Sequence, residues 1–112
     1  MEYRVRLSVR ATADAEELHA WIAQYAPVTA GRWYARLLAA IETLNQHPAR
    51  CSVAAESDAF SEEVRQLLFG KRRSTFRVLF IIRGDTVHVL RVVRASRDTL
   101  QPDDLHEDEL GN

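Results

Sequence analysis

The sequence predicts an α+β domain with the element order β-α-α-β-β-β, in which a helical hairpin packs on one face of a largely antiparallel sheet. Three features predict this fold: polar and apolar residues alternate near the N-terminus, apolar residues then recur at helical spacing, and three apolar runs of strand length follow residue 63. A length of 112 residues with 46% apolar residues fits a single domain with its own core.

The first strand and the first helix follow from the spacing of apolar residues. Apolar and polar side chains alternate from Tyr3 to Val9, which indicates a strand that buries one face. Apolar residues then recur at helical spacing through about residue 26, which indicates a helix capped by Thr12 or Asp14. Pro27 is predicted to break this helix.

A second helix carries a wide apolar stripe between Ala30 and Leu44 and is predicted to end before Pro48. The turn between the two helices is short, so we expect them to form an antiparallel hairpin. The stretch from Ala49 to Glu63 has no periodicity and is predicted to be a loop. It is longer than most loops of compact domains, which makes it a candidate for function or for contact with a partner.

Three strands are predicted in the last third of the chain, over Val64–Phe69, Thr75–Ile82 and Thr86–Val93. Gly84 lies in the short turn between the last two strands, where tight hairpins favour a positive φ. One face of the middle strand is wholly apolar and is expected to meet the helices: Phe76, Val78, Phe80 and Ile82.

The opposite face of the sheet is predicted to be partly open and to carry arginines. Alternation along the middle strand turns Arg77 onto this face. By the same alternation Arg65, one strand away, can lie on it as well.

Basic and acidic residues are segregated along the last third of the chain. Between Lys71 and Arg97 there are eight basic residues and one acid, whereas from Asp98 to Asn112 there are six acids and no lysine or arginine. The formal net charge of −1 therefore hides a basic sheet surface, which points to an anionic partner or an acidic protein ligand. We divide the chain into a domain over residues 3–100 and an acidic tail over residues 101–112, which either lies against the basic face or stays solvated.

Composition argues against several classes of protein. The longest apolar stretch, Val78–Ile82, is too short to cross a bilayer, and the N-terminus does not resemble a signal peptide, so a cytoplasmic location is expected. Cys51 is the only cysteine and cannot form an internal disulfide. No His or Cys cluster has the spacing of metal ligands and no Gly-rich phosphate loop occurs, so we expect neither a metal nor a cofactor.

Several features occur in the order that is typical of one group of bacterial proteins. The opening strand ends in Ser8, the second helix contains Trp33 and Tyr34, a His-Pro break follows, and the strands of the sheet carry arginines. The stretches that carry the likeness most clearly are Val64–Leu67, Phe76–Phe80 and Val89–Asp98. Over residues 3–100 the chain resembles the RelE/ParE superfamily of toxins from type II toxin–antitoxin systems, and its ParE-like members more than its RelE-like ones.

The resemblance implies a toxin that inhibits bacterial growth, contributes to plasmid stabilisation and is silenced by a partner antitoxin. ParE-like members act on DNA gyrase, which gives the first hypothesis for this chain. RelE-like members cut messenger RNA on the ribosome, which gives the second. A degenerate member that only binds its antitoxin is the third.

The resemblance also implies roles for particular residues. Arg77 and Arg97 match positions whose arginines stabilise the extra charge on the phosphate in RNA-cutting members, and Arg65 or Lys71 can lie near the lysines of those members. Arg94 stands where many ParE-like members have histidine, and no residue matches the tyrosine of the RNA-cutting members. Arginine stays charged and moves protons poorly, so the chain lacks a complete set of acid and base groups.

Four arginines are predicted to share one surface, which would be either an active or nucleic-acid-binding surface or the seat of an acidic antitoxin segment: Arg65, Arg77, Arg94 and Arg97. Lys71 is a further candidate for contact with the target or the antitoxin. Trp33 and Tyr34 are expected in the core, with one of the pair able to face a partner. His88 lies in an apolar strand and is expected to be a half-buried structural residue.

Overall fold

The computed structural model describes residues 2–71, 75–96, 100 and 105. Its helices and strands are β1 (Arg4–Leu7), α1 (Val9–Ala23), α2 (Pro27–Glu42), β2 (Ser52–Val53), β3 (Arg65–Phe69), β4 (Phe76–Arg83) and β5 (Thr86–Arg94). The strands form one sheet in the order β1-β5-β4-β3-β2, in which β1 runs parallel to β5 and the other pairs are antiparallel. The predicted fold class is therefore confirmed, with the short strand β2 added from the predicted loop.

Helix α1 begins directly after β1, four residues earlier than Thr12 would place its cap. Ser8 is the N-cap: its Oγ accepts a hydrogen bond from the Ala11 N–H at 3.0 Å and donates one to the Leu90 carbonyl at 3.0 Å. The predicted caps Thr12 and Asp14 are wrong because the strand leads into the helix without a loop. Ser8 therefore fixes α1 to the neighbouring strand β5 as well as capping it.

The two helices form the predicted hairpin. α1 ends at Ala23, and Pro27 is the first residue of α2, where its fixed φ suits a helix and its missing N–H leaves no donor unsatisfied. α2 ends at Glu42 and passes through a 3-10 turn into His47, whose φ of 46° reverses the chain before Pro48. Neither described helix is long and apolar enough to cross a membrane.

The main core lies between the hairpin and one face of the sheet, which we call the helical face. As predicted, β4 points Phe76, Val78 and Phe80 into this core, with Ile82 packed beside them. The largest contributions from the helices come from Trp33, Leu37 and Ile41 of α2.

The opposite face of the sheet, the second face, is more covered than predicted. Residues from the stretch before β3 pack on it together with Leu100 and Leu105, and they form a second core with Leu79, Ile81 and Leu90. The predicted loop from Ala49 to Glu63 accordingly holds β2 and two 3-10 turns. Its sequence shows no periodicity because each short turn contributes only one or two apolar residues to the sheet.

Candidate functional site

Arg77 lies on the second face of β4, as predicted, but an acidic partner covers it. Its guanidinium donates to both carboxylate oxygens of Glu56, at 3.0 and 2.7 Å, and to the side chain of Gln66 at 3.2 Å. The Glu56 side chain is fully buried and that of Arg77 is 12% exposed. The Leu100 N–H donates to the same carboxylate at 2.9 Å, so Glu56 joins β4 to the chain beyond β5.

The environment of Glu56 favours its ionised form. Burial alone would raise the pKa of this carboxyl, but the hydrogen bonds from Arg77 and Leu100 and the positive charge of Arg77 outweigh it and hold the pKa below the ordinary value. Both members of the pair are therefore charged at neutral pH. Arg77 can bind a phosphate only if Glu56 is displaced from it.

Arg65 lies on the other face of the sheet, so the prediction that it accompanies Arg77 is wrong. It pairs directly with Phe80, whose side chain faces the helices, and directly paired residues share a face. Its guanidinium donates to the carbonyls of Ala49 and Cys51, at 3.1 and 2.6 Å, and pairs with Glu63 at 2.8 Å. The hydrogen bonds of Arg65 therefore connect the turn before β2 to strand β3.

Arg94 also lies on the helical face, at the end of β5. It pairs with Phe76, and its guanidinium stacks 3.8 Å from the ring centre of Trp21 in α1. Arg97 lies outside the described residues. Of the four arginines predicted to share a surface, the three that the structure describes are divided between the two faces. Arg65 and Arg94 pair with Phe80 and Phe76, whereas Arg77 alternates with these two residues along β4.

The other predicted contact residues occupy three different settings. Lys71 is exposed at the end of β3. Trp33 is buried against Phe76, with ring centres 5.1 Å apart, and its Nε1 has no hydrogen-bond partner among the described residues. Tyr34 is half-buried and meets His19 edge to face at 5.4 Å.

A buried salt bridge between Asp14 and Arg91 escaped the sequence analysis. Arg91 donates to the two carboxylate oxygens of Asp14 at 2.7 and 3.0 Å, and the Val92 N–H donates to the same carboxylate at 2.9 Å. The pair joins α1 to β5. The available signal was an arginine inside an apolar strand together with an acid on the buried side of α1, although their separation in sequence hides the pairing.

Two exposed apolar surfaces lie beside the helices. The first, the edge groove, has a volume of about 430 Å³ and is lined by Tyr3, Val5, Leu7, Leu38 and Ile41, with polar residues at its rim. It runs along β1, which is the first strand in the sheet order and so presents an edge among the described strands. Such an edge can accept another extended segment.

The second surface, the tip patch, consists of Trp21, Tyr25 and Val28 at the hairpin turn, together with Arg94. The three apolar side chains are 47%, 78% and 71% exposed. Trp, Tyr and Arg are the residues that most often dominate binding at protein interfaces. Within the described ranges no group of His, Cys, Asp or Glu could hold a metal ion.

Comparisons with known proteins agree with this architecture. The family model for the ParE toxin of the type II toxin-antitoxin system parDE matches residues 5–99, and the chain therefore belongs to the ParE toxin family. A solved structure described as the chromosomal ParDE TA system from P. aeruginosa superimposes with a TM-score of 0.70, is 18% identical, and is matched over 83% of this chain and 96% of that chain. At this identity the likeness shows the fold. Among curated proteins, no sequence matches the chain significantly.

Proposed function

We propose that this ParE-family protein inhibits growth by acting on DNA gyrase and does not cut messenger RNA. One observation favours gyrase over messenger RNA as the target. Arg77, the described arginine that matches a charge-stabilising position of the RNA-cutting relatives, is bound by Glu56, while Arg65 and Arg94 lie on the other face of the sheet. Cleavage of RNA needs several charged groups around one phosphate together with an acid and a base. Arg65, Arg77 and Arg94, the described arginines that the resemblance singles out, do not converge in that way.

Inducible expression in bacteria tests the proposal. We expect arrested growth with induction of the DNA-damage response, because blocked gyrase leaves broken DNA. Messenger RNA cut at ribosomes, without that response, would favour the RelE-like alternative. Normal growth with the folded protein present would favour a degenerate member that only binds its antitoxin. A gyrase target would also place the protein in the cytoplasm, as the sequence predicts.

The family implies an antitoxin partner, and we propose that the antitoxin occupies the edge groove and the tip patch. The Tyr3 N–H before β1 already donates to the Asn45 carbonyl at 2.8 Å, but an extended segment can pair with the edge of β1 beyond it while its apolar side chains fill the groove beside Leu38. A helical segment can cover Trp21 and Tyr25, with an acid opposite Arg94. Neither surface includes Trp33, which is buried against Phe76, or Tyr34, which is half-buried beside His19, so a partner contact at Tyr34 stays a prediction.

Leu38→Glu is expected to weaken antitoxin binding by roughly 30-fold, because it places a charge in an apolar groove that the partner must desolvate. Leu38 is 39% exposed in the free protein, so the fold should tolerate the change. Leu68→Glu is the matched control, since Leu68 is 58% exposed on the second face. Calorimetric titration with the antitoxin encoded beside the toxin gene measures both. Equal affinities for the two variants would place the antitoxin elsewhere.

A further inference from the structure

Three basic side chains converge on the second face near the β4–β5 turn. Arg6 of β1 pairs with His88 of β5, and His88 pairs on its other side with Ile81 of β4. Arg83 lies two residues beyond Ile81 and therefore shares its face. We call Arg6, His88 and Arg83 the basic site.

The basic site already holds a carboxylate at one side. Glu62, from the segment before β3, accepts hydrogen bonds from Arg83 Nε with both oxygens at 3.0 Å, and a further bond joins it to the guanidinium. The side chains of Arg83 and Glu62 are 37% and 30% exposed, so this ion pair is open to solvent and can exchange partners. The side chain of Arg6 is exposed as well, so an anionic group can approach the charges of the site from solvent and take the place of contacts that the arginines already make.

The surroundings of His88 keep its imidazole neutral at neutral pH. Burial lowers its pKa, the charges of Arg83 and Arg6 lower it further, and the charge of Glu62 opposes them. A neutral imidazole between two arginines can donate one N–H to an anion. Below its pKa it adds a third positive charge to the site.

We propose that Arg6, His88 and Arg83 bind the backbone phosphates of a nucleic acid. Arg6 and Arg83 stand on strands that flank β5 and are offset by two residues along it, so their backbones are about 12 Å apart and their long side chains can close on one phosphate from both sides. Guanidinium groups match phosphate oxygens with paired hydrogen bonds. Arg4 is exposed on the same face and extends the row of charge along β1.

The chemistry of this surface fits a nucleic acid better than a protein partner. The exposed parts of the site are charged and lie on a flat sheet, and its one apolar neighbour, Ile81, is buried in the second core. Interfaces with nucleic acid are polar and positively charged, whereas a protein partner would need apolar surface at the centre. The large apolar side chains that are exposed on β2 and β3, Val53 and Leu68, belong to other strands.

The acidic sequence beyond Leu105 supplies a competitor for this site. Leu105 packs in the second core together with Ile81, and the sequence that follows it contains Glu107, Asp108 and Glu109. Deletion of residues 106–112 is therefore expected to strengthen binding of an anion, most clearly at low salt.

Fluorescence anisotropy with a labelled 20-base-pair DNA duplex and a labelled single-stranded RNA of 20 nucleotides tests the proposal, using the full chain across a salt series. We expect Arg6→Gln to weaken binding about fivefold. It should also reduce the slope of the logarithm of the binding constant against the logarithm of the salt concentration by about one. Arg32→Gln is the matched control, since Arg32 is exposed on α2 and its loss changes the net charge equally. The difference between the two probes tells whether duplex DNA or RNA supplies the phosphates.

Binding should also strengthen as the pH falls below 6.5 and through the lowered pKa of His88, and His88→Gln should remove most of that increase. Arg4→Gln serves as a second variant of the row should Arg6→Gln fail to fold. Equal losses with Arg6→Gln and Arg32→Gln, or no binding of either probe at 50 mM salt, would overturn the proposal. Tighter binding of a poly-glutamate peptide than of both nucleic acids would replace it with an acidic protein partner.

Discussion

At the scale of single residues, the pair of Glu56 and Arg77 changes what a mutation of Arg77 means. Alternation along β4 predicts that Arg77 lies on a partly open face. In the structure the guanidinium compensates a fully buried carboxylate that also anchors Leu100. Loss of toxicity in a single Arg77 variant would therefore not separate a functional role from a structural one.

Arg77→Ala is expected to lower the free energy of unfolding by about 3 kcal/mol, because it leaves Glu56 buried and unpaired. The double variant Glu56→Gln with Arg77→Met should cost much less, since it buries no lone charge. Urea denaturation measures both, with Arg36→Ala on the exposed side of α2 as the control. If the single variant is as stable as Arg36→Ala, the pair contributes little. Growth inhibition that survives in the double variant would exclude Arg77 from the target site.

The same pair predicts how stability depends on pH. The pKa of Glu56 is lower in the folded protein than its ordinary value of 4.5, so the unfolded chain binds a proton more readily. The stabilisation from Glu56 is complete above pH 4.5 and is lost as the pH falls through the lower folded pKa. Glu56→Gln should flatten this part of the stability curve, measured by thermal unfolding between pH 3 and pH 6. An unchanged slope would mean that other carboxyls produce it.

At the scale of elements, the strands were predictable because a period of two and a glycine turn are local signals. β3, β4 and β5 begin and end within about one residue of their predicted bounds. The cap at Ser8 and the turns between Ala49 and Glu63 could not be predicted in this way, because they depend on contacts with β5 and with the second face. The face of Arg65 was also missed, because it follows from pairing with Phe80 and not from alternation within β3.

The junction of α1 and β5 gives a prediction at this scale. Asp14→Ala should lower the free energy of unfolding by about 3 to 5 kcal/mol, because Arg91, whose side chain is 3% exposed, would lose the Asp14 carboxylate. Asp14→Asn should cost less, since the amide oxygen can still accept from the Val92 N–H. Glu16→Ala, at an exposed site on the same helix, is the control for chemical denaturation. A loss no larger than that of the control would show that the helix docks without this pair.

At the scale of the whole molecule, other parts of the chain pack on both faces of the sheet. The helices cover one face, while the residues before β3, together with Leu100 and Leu105, cover much of the other. The family could be predicted from the sequence because its motifs lie in the strands, whose order the fold preserves. The site could not, because a row of arginines in sequence does not show which carboxylates bind them. Glu56, Glu62 and Glu63 each form a salt bridge with one arginine of the sheet.

This distribution of charge also bears on the target. In this ParE-family chain, Arg65 and Arg77 pair with its own acids and Arg94 stacks on an aromatic ring. The exposed apolar surfaces and the edge of the sheet are therefore the surfaces that suit a protein partner. Such surfaces suit binding to a protein such as gyrase better than chemistry on a phosphate.

Supercoiling of relaxed plasmid by purified gyrase is the measurement that tests this account most directly. With the toxin added in excess, we predict loss of supercoiling and accumulation of cleaved DNA, and recovery of supercoiling when the antitoxin is added first. A matched reaction with translating ribosomes should leave the messenger RNA intact. Unimpaired supercoiling together with cleaved messenger RNA would contradict the account.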